Sequence, residues 1–162
     1  MLRNCSIITV STSRKSLKVD KSGNIIQSFL KKNYPDLKIN RFIVKDNEKI
    51  IFTLLKRRVI LKDDLVLTTG GTGLSPDDVT PEATMRVIKK EVPAVILSLI
   101  LPFIKKIPTS ALSRAKAGIA GKTFIVNLPG SPLACRDQMK ILLKYLNHAM
   151  GKIQGDKTPC RV

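Results

Sequence analysis

Leu65-Val66-Leu67-Thr68-Thr69-Gly70-Gly71-Thr72-Gly73-Leu74-Ser75-Pro76-Asp77-Asp78-Val79-Thr80-Pro81-Glu82-Ala83-Thr84 opens with a short apolar, β-branched run that stops at glycines. Such a run predicts a fully buried strand that breaks into a tight loop, since glycine takes positive φ without a Cβ penalty. Thr80, Pro81 and Glu82 then read as a helix N-cap, a first helical position and an acidic first turn. A strand, a glycine loop and a helix start in that order let backbone N–H groups converge on an anion such as phosphate. The spacing is neither the dinucleotide fingerprint nor the P-loop, because no Lys-Ser or Lys-Thr pair follows Gly73. A turn that simply requires glycine is the competing reading. Asp77 and Asp78 add chemistry: carboxylates beside a bound anion need a divalent cation or a proton between them. As a plain sequence feature they also fit a solvated turn.

Working outward, residues 5–10 form a β-branched run suited to a first core strand, with Ser11, Thr12 and Ser13 in the loop at its carboxyl end. Ser22 reads as the cap of a helix from Gly23 to about Lys32, which carries Ile25, Ile26, Phe29 and Leu30 on one face. Residues 37–44 alternate apolar and polar, as a strand near the sheet edge does, and lead into Lys45-Asp46-Asn47. Asp46 reads as the N-cap of the helix bearing Ile50, Ile51, Leu54 and Leu55. Downstream of Pro81, Met85, Val87 and Ile88 supply an apolar side, and Arg86, Lys89, Lys90 and Glu91 a polar one. Residues 92–104 are strongly apolar but too short to span a bilayer, which predicts a buried helix or a subunit contact and no membrane insertion.

Arg114, in a loop or strand-like segment with Ser113, is the residue type suited to forked phosphate recognition, although by residue type alone a plain surface arginine is the commoner case. A turn at Gly121 precedes a buried strand over residues 123–127 and a rigid loop at Pro129, Gly130 and Ser131. Residues 134–150 carry Met139, Leu142, Leu143 and Leu146 at helical spacing, and a tail is expected from about 151. Alternating strands and helices predict an α/β fold, a three-layer α/β/α sandwich around a mostly parallel sheet, built as a single domain over residues 1–162.

The 162 residues carry a formal charge of +17, with 29 Lys and Arg against 12 Asp and Glu. That excess attracts polyanions, so a basic nucleic-acid-binding protein is one reading. Against it, the cations are dispersed in pairs such as Lys31-Lys32 and Arg57-Arg58, and aromatics make up only 4%, too few for a stacking platform. Cys5, Cys135 and Cys160 are odd in number and widely spaced, and His148 is the single histidine, so neither a disulfide framework nor a zinc site is expected. Reduced thiols and the lack of a secretory signal predict a cytoplasmic protein.

Thr69-Gly70-Gly71-Thr72-Gly73 with Pro76 and residues 78–84, then Leu112-Ser113-Arg114 with Ala117-Gly118-Ile119, and finally Asn127-Leu128-Pro129-Gly130-Ser131-Pro132 resemble, in that order, the molybdopterin adenylyltransferase family. The resemblance runs from about Cys5 to Lys157. It implies a nucleotidyltransferase of molybdenum cofactor biosynthesis, which uses Mg2+ and ATP to convert molybdopterin into adenylyl-molybdopterin and pyrophosphate. It further implies a homotrimer and, as a partner, a molybdate-inserting domain or protein. On this resemblance Asp46 and Asp78 are the catalytic, metal-holding residues. Ser11, Thr69, Gly70, Gly71, Thr72, Gly73, Ser113, Arg114, Pro129, Gly130 and Ser131 are the substrate-binding ones. The chain departs from the family pattern at Thr12, where an aspartate is usual, at Asp77 for a basic residue, at Ala94 for glycine and at Phe103 for serine. A molybdopterin-binding or scaffold domain of the same fold is the alternative that these departures leave open.

Overall fold

Three apolar runs lie side by side in a six-stranded sheet of order β2-β1-β3-β6-β5-β4. β1 (Asn4–Val10), β3 (Leu65–Thr69) and β6 (Thr123–Leu128) are buried almost throughout, as central parallel strands covered on both faces must be. β2 (Lys38–Val44) occupies the edge and stays only half-buried, in keeping with its mixed composition. The pairs β1–β2, β1–β3 and β3–β6 are parallel, whereas β5 (Ala117–Ala120) pairs antiparallel with β6 and with the short β4 (Lys90–Glu91). Gly121, at φ 61°, makes the tight turn between β5 and β6. The computed structural model describes residues 2–13 and 16–159. Cys160 lies outside the described residues.

Helices cover both faces. α1 (Lys21–Asn33), α4 (Pro93–Ile104) and α5 (Pro132–Gln154) bury Ile26, Leu30, Leu99, Met139, Leu142 and Leu146 against Ile7, Leu67 and Val126. On the opposite face α2 (Glu48–Ile60) and α3 (Thr80–Met85) bury Ile51, Leu55 and Ala83 against Ile8, Val66 and Ile125. Each fully buried Leu or Ile of this kind stabilises the fold by about 1.5–3 kcal/mol. The expected three-layer arrangement is thereby realised. No helix among the described residues is long and apolar enough to cross a membrane.

Several helix boundaries differ from the sequence expectation. Asp20, not Ser22, caps α1 by accepting from the Gly23 N–H at 3.0 Å. Ser22 instead donates to the Gly130 carbonyl at 2.8 Å, tying α1 to the loop after β6. Asn47, not Asp46, caps α2 by accepting from the Ile50 N–H at 3.0 Å. Thr80 is already inside α3, and its hydroxyl donates to the Gly70 carbonyl at 2.9 Å. α3 stops at Met85, so Lys90 and Glu91 form a strand edge rather than the polar side of a longer helix. α5 continues past Gly151 to Gln154 and closes on Gly155 in the left-handed conformation at φ 102°.

Candidate functional site

The strand register sets Thr9 level with Thr69 and Thr69 level with Leu128. The loops that follow β1, β3 and β6 therefore emerge together at one end of the sheet, where open α/β folds collect ligands. In the middle loop Gly70 and Gly71 take φ of 97° and 65°. A Cβ on Gly70 would stand 2.3 Å from the Val10 carbonyl oxygen, and one on Gly71 would stand 2.4 Å from the Thr80 hydroxyl. Only glycine fits either place. The Gly70 N–H donates to the Leu128 carbonyl, and the Thr80 N–H to the Gly71 carbonyl. Thr69, fully buried, donates its hydroxyl to the Pro129 carbonyl at 2.7 Å, and Gly130 packs directly on Gly70. These two residues hold the loops against each other. By contrast, the N–H groups of Gly71, Thr72, Gly73 and Leu74 donate to no acceptor among the described residues. The seat read for the glycine run thus begins at Gly71, since Gly70 is already committed.

Two carboxylates flank that run. Asp46 Oδ1 lies 3.4 Å from where a Gly71 Cβ would be, and Asp78 Oδ2 lies 2.9 Å from the equivalent point on Gly73. Asp46 Oδ2 accepts from the Thr12 hydroxyl at 2.7 Å. Asp78 Oδ2 accepts from the Ser75 N–H at 3.1 Å, so the turn itself orients that side chain. Asp77 is exposed and its N–H donates to the Ser75 hydroxyl at 3.4 Å. Ser11 is half-buried beside Ser13, at 3.3 Å between hydroxyl oxygens. The described residues contain no group of three or more His, Cys, Asp or Glu placed to hold a metal. Carboxylate oxygens are the donor type that a hard divalent cation takes.

Beside the loop opens a cavity of about 430 Å3, walled by Thr72, Gly73, Ser113, Pro129 and Ser131 together with the apolar Phe103. Ser131 accepts from the Ala134 N–H and caps the 23-residue α5, so the positive end of that helix dipole lies at the cavity wall. Arg114 stands elsewhere. Its Nε donates to the Gly73 carbonyl at 2.7 Å, and its terminal nitrogens reach the Asp78 carbonyl and the Glu82 carboxylate. The fork read as a phosphate ligand is occupied in clamping the loop. The cavity's far wall, formed by the turn Pro108–Leu112 and by Leu133 and Gln138 of α5, is not signalled by any motif. Only the helical periodicity of α5 bears on it. A larger open groove of about 750 Å3 runs between β2 and α2 and includes none of the glycine-loop residues.

Neither described cysteine enters this chemistry directly. Cys135 is buried, and its sulfur donates to the Pro129 carbonyl at 2.8 Å. Burial pushes the Cys5 thiol well above its ordinary range, with the nearby Asp63 and Asp64 charges adding to the effect.

Residues 6–148 match the family described as "Probable molybdopterin binding domain". The chain is 38% identical over 153 residues to the Drosophila melanogaster molybdenum cofactor synthesis protein cinnamon, covering 93% of this chain but only 25% of that protein. It is 35% identical over 144 residues to a Helicobacter pylori molybdopterin adenylyltransferase, covering 88% of this chain and 82% of the enzyme. The molybdopterin biosynthesis Mog protein from Mycobacterium ulcerans superposes with a TM-score of 0.88 at 36% identity, over 93% of this chain and 99% of the other. Three strand-end loops, one of them a glycine run between two aspartates, are thus carried on a sheet and a sequence shared with these proteins, and the chain belongs to the molybdopterin-binding domain family.

Proposed function

We propose that this chain adenylylates molybdopterin at the expense of ATP. The terminal phosphate of molybdopterin attacks the α-phosphorus of the nucleotide, the new P–O bond forms as the bond to the bridging oxygen breaks, and pyrophosphate leaves. Such a transfer asks for two anions in line and for neutralised charge on the leaving group. The single observation that carries the reading is the run of free amides from Gly71 to Leu74 set between Asp46 and Asp78. Relatives that carry the adenylyltransferase name support it.

In this reading the amides of Gly71, Thr72 and Gly73, with the Thr72 hydroxyl, hold the phosphate end of the pterin. Asp46 and Asp78 would hold magnesium with the nucleotide phosphates; when bound, the ion offsets the charge that develops on pyrophosphate. Arg114 keeps the loop in shape through the Gly73 and Asp78 carbonyls, so it acts on the substrates by positioning. Ser113, Pro129 and Ser131 line the space into which the rest of the pterin extends. No serine, cysteine or lysine is required as a nucleophile, because the attacking oxygen belongs to the substrate.

Pyrophosphate release measured with molybdopterin and Mg-ATP, alongside calorimetric titration of molybdopterin, tests the proposal. Stoichiometric release coupled to loss of free molybdopterin is expected. Molybdopterin binding without pyrophosphate release would overturn the enzymatic reading in favour of a binding or scaffold domain. Thr12 and Asp77 give that second reading its specific motive, since they alter the charge on both sides of the loop.

A further inference from the structure

β2 ends the sheet, so one side of it has no strand partner. The Lys38 N–H donates to the Arg3 carbonyl, and the Val44 carbonyl accepts from the Ser11 N–H, so the even-numbered residues of β2 face β1. The N–H and C=O of one strand residue point the same way, which turns those of Ile39, Arg41 and Ile43 outward. These outward groups find no backbone partner among the described residues. An open edge of this kind is a template for another strand. Residues 41–44 of that edge are also one wall of the 750 Å3 groove, and α2 supplies the other with Lys49, Ile50, Leu54 and Arg57.

Arg41, Lys49 and Arg57 are the charged residues of the groove, and no carboxylate lines it. Arg41 is committed, since its guanidinium pairs with Asp20 at 2.7 Å and donates to Asn24 and Gln27. Lys49 and Arg57 make no ion pair among the described residues. They stand about two turns apart on α2, roughly 12 Å along its axis. In an extended strand, residues i and i+4 share a face at about 13 Å. Between the two cations lie Ile50, 45% exposed, and Leu54. We propose that this groove binds an extended acidic segment of another protein, which adds to β2 as a seventh strand. Carboxylates at i and i+4 of the segment meet Lys49 and Arg57, and an apolar residue at i+2 meets Ile50 and Leu54. Bonds to the outward groups of Ile39, Arg41 and Ile43 give the segment its register, and the cations select its charge. A second copy of this chain fits poorly, because it brings its own Lys38, Arg41, Lys49 and Arg57 against the same cations on a molecule of charge +17. Nucleic acid matches the charge but has no alternating N–H and C=O groups to complete the ladder.

Fluorescence anisotropy of the whole chain with two labelled heptapeptides tests this. Both have isoleucine at the centre and otherwise valine and threonine, except that one carries glutamate, and the other lysine, two positions to either side of the centre. The wild type is expected to bind the glutamate peptide roughly tenfold more tightly than the lysine peptide. Hydrogen–deuterium exchange at the N–H groups of Ile39, Arg41 and Ile43 should slow when it is bound. Methylating the peptide nitrogens that face β2 is expected to remove that protection and to weaken binding roughly tenfold. Lys49 and Arg57 are both exposed, and their joint replacement, Lys49→Glu with Arg57→Glu, should reverse the preference between the peptides, which loss of folding cannot do. Equal binding of the two peptides, binding that survives methylation, or no binding of the glutamate peptide would overturn the inference. Protection of the same amides that rises with protein concentration alone would give the groove to a second copy, and protection by a short RNA would give it to nucleic acid. Either result overturns the assignment to an acidic segment.

Discussion

Asp46 is available for chemistry because its neighbours relieve it of structural duty. Asn47 takes the helix cap, and the Thr12 hydroxyl fixes Oδ2 while Oδ1 stays turned to Gly71. Asp46→Asn keeps the shape and removes the charge, so pyrophosphate release should fall on the order of a hundredfold, as when one preorganised electrostatic group is deleted from a site. Molybdopterin affinity by calorimetry should move little, which separates a metal-holding role from a role in the pterin seat. Thr12 acts on the site by positioning the Asp46 carboxylate through its hydroxyl. Losing its hydrogen bond in Thr12→Val costs about 1 kcal/mol, or about fivefold in turnover, and Thr12→Ser should restore it. Manganese binding followed by EPR is expected to weaken in Thr12→Val and recover in Thr12→Ser. Gly71→Ala has no such graded outcome: with φ at 65° and the Thr80 hydroxyl 2.4 Å from the new Cβ, the loop must move, and both binding and release should be lost.

Elements were legible in the sequence wherever the signal was local. Glycine, proline and β-branched runs mark β1, β3 and β6 and the loops after them, because strand burial and turn geometry act over a few residues. The edge position of β2 was legible from its alternation for the same reason. What the sequence concealed depends on partners far along the chain. Thr80 looks like a cap until the Gly70 carbonyl claims it, and Arg114 looks like an anion fork until the carbonyls of residues 73 and 78 fill it. Gln138 sits on the buried face of a helix and becomes a cavity residue only when the turn Pro108–Leu112 is brought opposite. Asp20 is the sharpest case. It caps α1, accepts from the Thr9 hydroxyl of β1 at 2.6 Å and pairs with Arg41 of β2 at 2.7 Å, with its own side chain fully buried. Asp20→Ala should cost about 3–5 kcal/mol by leaving a buried guanidinium unpaired, and Asp20→Asn less. Urea midpoints measure both. Because α1 also carries the Ser22 bond to Gly130, the variant is expected to loosen the loop after β6 before the sheet melts.

At the scale of the molecule, charge and apolar surface pull in opposite directions. Leu97 and Leu101 are 54% and 58% exposed one turn apart on α4, while Ile96, Leu99 and Ile100 of the same helix enter the core. We propose that the chain forms a homotrimer with this stripe as its contact, so light scattering should give three times the 17.9 kDa chain mass. The double substitution of Leu97 and Leu101 by Glu should return monomers with unchanged helical content. Three chains that each carry +17 repel one another, and salt screens that repulsion, with a Debye length of about 10 Å at 0.1 M. Raising salt from about 50 to 200 mM should therefore strengthen the trimer against dilution, whereas binding to RNA or DNA would weaken steeply over the same range. One salt series, read by sedimentation with and without a short RNA, thus separates a charged surface that serves solubility from one that serves nucleic acid. A trimer that tightens with salt and no RNA complex near physiological salt are the expected results. A trimer that falls apart as salt rises would mean that ion pairs rather than leucines hold it together.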